Sequence, residues 1–169
     1  NEVIFDLSNR SSTNKGRLRI EMDPDKTYPF IITIDSGSAT ATQAVGQSTI
    51  GAAIGVPSNG WHHYAFSFLS NSAGTLLNFF YDGNLTEQHQ ISTGFGRVTG
   101  SLISSIGSLI DSVSGFSSTT KGWGQFSGSI DDFRYWKYQR PADLIKLNYF
   151  KGIDGGTNTD DDSYQLGFY

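Results

Sequence analysis

The only glutamates in the chain are Glu2, Glu21 and Glu87, and the acids are where a search for chemistry has to begin. Cleaving a glycosidic bond takes two carboxylates about 5–10 Å apart, one as acid and one as base or nucleophile. Asp131 and Asp132 are adjacent, so on a regular strand they point to opposite faces and do not make such a pair. His62 and His63 raise the question of a metal, but strand neighbours cannot both line one site, and His89 stands far off with no H-E-x-x-H spacing. A packed imidazole and a surface one is the simpler reading. Calcium needs six to eight oxygens, which loop carbonyls and one or two Asp side chains can supply. Asp111 and Asp132 are the candidate ligands, although Asp132 reads more readily as a bulge residue that accepts backbone N–H bonds. Asp111 also opens a long Ser/Thr/Gly stretch that carries Trp123. Hydroxyls and a carboxylate beside an indole are the mix a sugar-binding loop uses, so Asp111 and Trp123 are the candidate ligand residues. Trp61 and Trp136 are expected in or beside the core. Asp160, Asp161 and Asp162 read as a solvated turn.

Composition sets the frame. The 169 residues include 22 Ser, 14 Thr and 20 Gly, about a third of the chain, with only 17% charged. A helical bundle would be far richer in Ala, Glu, Lys and Leu. No Cys is present, which removes disulfides and thiolate metal sites and leaves the redox compartment open. A net charge of −4 with scattered basic residues disfavours phosphate-backbone binding. No apolar run approaches the ~20 residues of a membrane span. No cofactor is called for, calcium being the one left open.

Aromatics at 14% among small polar residues point to many short strands. Val3 to Leu7 alternates. Arg17 to Met22 sets Leu18, Ile20 and Met22 against Arg17, Arg19 and Glu21, a half-buried strand with a solvated outer face. Pro29 to Ile34 is a further strand, and Ser36 to Gly55 reads as loop and short edge strands. Trp61 to Phe68 and Leu76 to Tyr81 are strong strands, the second closed by Asp82-Gly83, a hairpin signal, with Leu85 to Ile91 returning. A strand through Ile106-Gly107 follows. Phe126 to Trp136 reads as the last long strand, with a β-bulge at the paired Asp restoring register between Ile130 and Phe133. Arg140-Pro141-Ala142-Asp143 opens a short helix near 141–149. The expectation is an all-β sandwich with Tyr64, Phe66, Ile130 and Phe133 in its core.

Three of these stretches carry a resemblance: Trp61 to Phe68, Phe80-Tyr81-Asp82-Gly83, and Gly128 to Tyr135 followed by Arg140 to Ile145. Their order and spacing over roughly residues 50–150 resemble the laminin G-like group of the concanavalin A-like lectin/glucanase superfamily. The resemblance implies a two-sheet antiparallel jelly-roll sandwich. Glucanases of this superfamily carry E-x-D-x-x-E, which is absent here. Pentraxin-like relatives carry acids after the I-G strand, where Leu109 and Ile110 stand and only Asp111 is acidic. Such domains begin with strands upstream of Val3, and Leu166 to Tyr169 resembles the opening strand of a following domain. Trp136 to Asp162 is similar to sandwich modules in virion proteins of bacterial viruses.

The reading is a laminin G-like sandwich over 1–153, lacking its first strands, then a linker and the start of a next domain over 154–169. The implied function is a non-enzymatic structural or adhesion module of a larger extracellular or virion-surface protein. A carbohydrate-binding lectin domain, calcium-assisted or not, is the alternative, and a glycoside hydrolase the second alternative. The expected partners are neighbouring domains or subunits, or glycans, with no nucleic acid and no membrane.

Overall fold

The structure is a computed structural model that describes residues 1–11, 14–23, 27–38, 44–54, 60–92, 100–110, 124–136 and 139–151. The strands are β1 (Glu2–Ser8), β2 (Asn14–Met22), β3 (Phe30–Ser38), β4 (Ala44–Ile50), β5 (Tyr64–Asn71), β6 (Gly74–Tyr81), β7 (Asn84–Ile91) and β8 (Ile103–Ile106), followed by helix α1 (Ala142–Asn148). They form two antiparallel sheets, one of five strands ordered β4-β3-β2-β1-β8 and one of three ordered β5-β6-β7. The two-sheet architecture and the short helix are as expected. The stretch after Ser36 is more regular than expected, since β3 runs to Ser38 and β4 forms a full edge strand.

Period-two alternation builds the core. Phe5, Leu18, Ile20, Phe30, Ile32, Ile34 and Ile50 of the larger sheet meet Leu77, Phe79 and Ile91 of the smaller. Tyr64, Phe66 and Phe68 pack against this cluster from β5, half-buried. Phe30 gathers the aromatic centre, with the rings of Tyr64, Phe66 and Phe79 each 5.3 Å away.

The outer face of β2 is not solvated as expected. Arg17 donates through Nε and Nη2 to Asp6 at 2.8 and 2.6 Å, and Asp6 is fully buried. The reason is that the chain after β8 crosses this face, where the backbone N–H of Ile110 donates to Asp6 Oδ2 at 3.0 Å. Arg19 and Glu21 form a second pair at 2.9 Å. Charges covered by chain must pair, and these do.

The expected last strand is also corrected. Gly124 to Trp136 is irregular. It is tied down at its start, where Val3 donates to the Gly124 carbonyl at 2.6 Å and Phe126 to that of Gly107 at 3.0 Å. A strand exists through its ladder, and the described residues beyond Phe126 form none. Ile130 and Phe133, expected in the core, are 39% and 41% exposed. The β-bulge expected at the paired Asp is absent together with its strand; Asp132 is instead a left-handed residue in an irregular segment, with φ 51. Phe133 and Tyr135 still reach the core edge, their rings 5.1 and 6.2 Å from that of Phe5.

Candidate functional site at the end of the three-stranded sheet

The site is built on the β6–β7 turn. Asp82 and Gly83 take φ 47 and 75, the two left-handed residues that a tight antiparallel hairpin needs. This closes the hairpin that Asp-Gly signals. It also presents the Asp82 carboxylate to the chain entering β5. Asp82 Oδ1 accepts the backbone N–H of His63 at 2.9 Å, and the Asp82 N–H donates to the His63 carbonyl at 2.9 Å. Asp82 Oδ2 lies 3.0 Å from His62 Nδ1, which is itself 2.8 Å from the Tyr81 hydroxyl. Either Nδ1–H donates to the carboxylate, or a bare Nδ1 accepts from the phenol.

A second set of groups meets His63 from the other side. Its ring lies 5.7 Å from that of Tyr149, which follows α1. Tyr149 also fills the space over Gly83, where a Cβ would come within 2.5 Å of its Cδ1. Arg134 binds Asp132 through Nε at 3.0 Å and through Nη2, and donates to the carbonyls of Asn148, at 2.9 Å, and Lys151. It thereby caps the C-terminal end of α1, where carbonyls lack helical partners.

Among the described residues, the ionisable groups that depart from their ordinary pKa gather in this cluster. Burial, then the Arg134 guanidinium, lowers the pKa of His63. Burial, with Tyr81 and Asp82 nearby, pushes Tyr64 up to about 12, and burial then Asp82 raises Tyr81. Burial acts to raise Asp82, but the His63 N–H and the His62 ring outweigh it and hold the carboxyl below its usual value. The hydrogen bonds from Arg134 hold Asp132 low. Two ring nitrogens, His62 Nε2 and His63 Nδ1, are buried with no hydrogen-bond partner. Perturbed groups gathered in one place mark a candidate site. Trp61, just before it in sequence, is 72% exposed, not packed as expected, and Phe150, in contact with Tyr149, is 70% exposed.

The residues singled out in the sequence fall as follows. Asp111 and Trp123 lie outside the described residues. Asp132 has both carboxylate oxygens on Arg134, so they are taken while that pair stands. Its backbone N–H donates to Asp131 Oδ1 at 2.8 Å. Among the described residues no group of three or more His, Asp or Glu is arranged to hold a metal ion. His62 and His63 both precede β5 and both meet Asp82, His62 through its ring and His63 through its backbone N–H, so the two imidazoles do not share the carboxylate. His89 sits between the sheets instead, its Nδ1 3.0 Å from Ser48 Oγ. The glutamates hold the chain together. Glu87 accepts the N–H groups of Gly51 and Ala53 at 3.1 and 2.7 Å, and Glu2 that of Ser127 at 3.1 Å. Glu21, the one glutamate with an acid two residues on (Asp23), is held by Arg19. Composition did not single out Asp82 as more than a turn residue; its service to two histidines depends on the pairing of β5 with β6.

Among curated proteins none matches the chain. Among solved structures, the chain is similar to residues 221–444 of an S-layer domain-containing protein from Clostridium thermocellum ATCC 27405, at 21% identity and a TM-score of 0.36. The match covers 81% of this chain and 57% of that one. Residues 1–146 match a laminin G family model described as the concanavalin A-like lectin/glucanases superfamily. Together with its two antiparallel sheets, this match over most of its length places the chain in that superfamily, and it belongs to the laminin G-like group there.

Proposed function

We propose that this domain is a non-enzymatic structural or adhesion module of a larger extracellular or virion-surface protein. The observation that carries the reading is the use of the glutamates. Glu2, Glu21 and Glu87 each take a hydrogen bond that joins separate parts of the fold or pairs a covered arginine. A carboxylate serving as glycosidase nucleophile or acid has to face substrate. The cluster around Asp82 supports the same reading, because its partners are the turn and the segment leading into β5. Neighbouring domains or subunits are the partners this reading calls for.

A second reading, a carbohydrate-binding lectin domain, has one observation in its favour: the exposed indole of Trp61 beside a polar cluster. An aromatic face with polar groups at its margin suits a sugar ring. The Asp111 to Trp123 stretch is the other proposed sugar contact, with calcium as its proposed aid. A glycan array run with the parent chain, with and without calcium, tests both readings. The structural module predicts no binding and no release of reducing sugar. Binding lost in Trp61→Ala, or in Trp123→Ala and Asp111→Ala, would replace it with the lectin.

A further inference from the structure

We propose that His63 makes the docking of α1 sensitive to mild acid: a proton on its ring releases Tyr149 and the C-terminal end of the helix while the sandwich stays folded. The inference rests on what surrounds the ring and does not depend on the proposed function.

His63 is fixed through its backbone, both polar atoms being bonded to Asp82. This holds its backbone at the entry to β5, so the ring is presented from a fixed point. The ring lies against Tyr149, and Nδ1 is buried with no acceptor. Tyr149 in turn occupies the space over Gly83, so it is held between the histidine and the hairpin turn. Neutral imidazole suits this place. Protonated imidazole carries two N–H donors, and the buried one would face no acceptor, a cost of the kind that unmade buried hydrogen bonds impose.

The charged and titratable groups facing the ring come from each neighbouring element. Asp82 on the turn and Asp132 on the irregular segment favour the charged form, and Arg134 opposes it. Both acids already have partners, Asp82 the residues before β5 and Asp132 the Arg134 guanidinium. Burial and Arg134 together prevail, so the neutral ring is favoured in the docked state. The guanidinium that opposes a second positive charge is the one holding the Asn148 and Lys151 carbonyls. Repulsion therefore acts on the helix cap itself. A histidine lowered from its ordinary 6.5 on docking contributes stability that is complete above that value and is lost as pH falls from there through its docked-state pKa.

Hydrogen exchange on the whole 169-residue chain reads this directly. Corrected for intrinsic rates, protection of the peptide spanning 142–151 should fall severalfold between about pH 7.5 and about pH 5, while β6 peptides keep theirs. His63→Leu, which cannot titrate, should hold protection constant across that range, and His89→Gln should respond as the parent does. An NMR titration of the His63 ring in the parent should have the same midpoint as the loss of protection. Unchanged protection of 142–151 in acid, a loss that persists in His63→Leu, or midpoints that disagree would each overturn the proposal. If His63→Leu fails to fold, the comparison of midpoints in the parent decides alone.

Discussion

Asp82 does at one position what three residues would otherwise share: it turns the chain, accepts the His63 N–H and faces the His62 ring. Asn tolerates left-handed backbone and keeps an acceptor, whereas Ala does neither well. Asp82→Ala should therefore cost about 1–2 kcal/mol and Asp82→Asn distinctly less, measured as urea midpoints. The sign of the pH effect is set by its lowered pKa. The carboxylate's contribution is present above the ordinary value of 3.8 and disappears as pH falls through the folded one, so parent and Asp82→Asn should converge in strong acid. Asp6 is the second residue with a sharp expectation. Removing it leaves the covered Arg17 without its bidentate partner, which should cost about 3–5 kcal/mol. The double variant Asp6→Ala with Arg17→Met should lose much less, because the covered charge that Asp6 binds is removed with it. A double-mutant cycle in urea checks both.

At the scale of elements, the molecule has a firm part and a looser one. β6 is flanked on both sides and sends Leu77 and Phe79 into the centre, both fully buried. The described residues beyond Phe126 form no ladder, and Phe133 meets the core at its edge, against the ring of Phe5. Phe79→Ala should thus cost about 3–5 kcal/mol, and Phe133→Ala no more than about half of that. Equal shifts in urea midpoint would mean that the segment is as integral as a strand. Helix α1 is anchored by the Arg134 cap and by Tyr149 over Gly83, and has no side-chain cap at its N-terminal end, where Pro141 stands. Its stability is therefore set by its far end, which is where the His63 proposal acts.

At the scale of the molecule, five strands face three. The smaller sheet cannot cover the β1–β8 side of the larger one. There Leu102, Ile103 and Ile106 at β8, and Phe133 and Tyr135 against Phe5 of β1, remain between about two-fifths and half exposed. β8 ends the sheet, with no strand beyond it among the described residues. An apolar sheet edge is a template for association. The chain alone should self-associate with rising concentration, and Ile106→Lys should weaken this without lowering the urea midpoint appreciably. Sedimentation velocity of the two proteins decides it, and a parent that stays monomeric throughout would count against the edge.

What was legible in the residues was local or periodic. Alternation in Val3 to Leu7 and Arg17 to Met22 placed strands, because period two is a property of the strand itself. Asp82-Gly83 placed a turn, because only certain residues accept its dihedrals. The order of three short stretches pointed to the laminin G-like group, and the match over residues 1–146 bears that out. What tertiary structure alone decided was which faces become covered and which distant groups meet. The charged face of β2 reads as solvated in any local view; it is covered because Ile110, 104 positions from Asp6, crosses it. Phe126 to Trp136 has a strand's pattern but forms no ladder beyond Phe126, and pairing is supplied by neighbours, not by the segment. The gathering of His62, His63, Asp82, Arg134 and Tyr149 required β5 to pair with β6 and α1 to fold back onto the turn. No spacing encodes those two long-range events, and the site exists only through them.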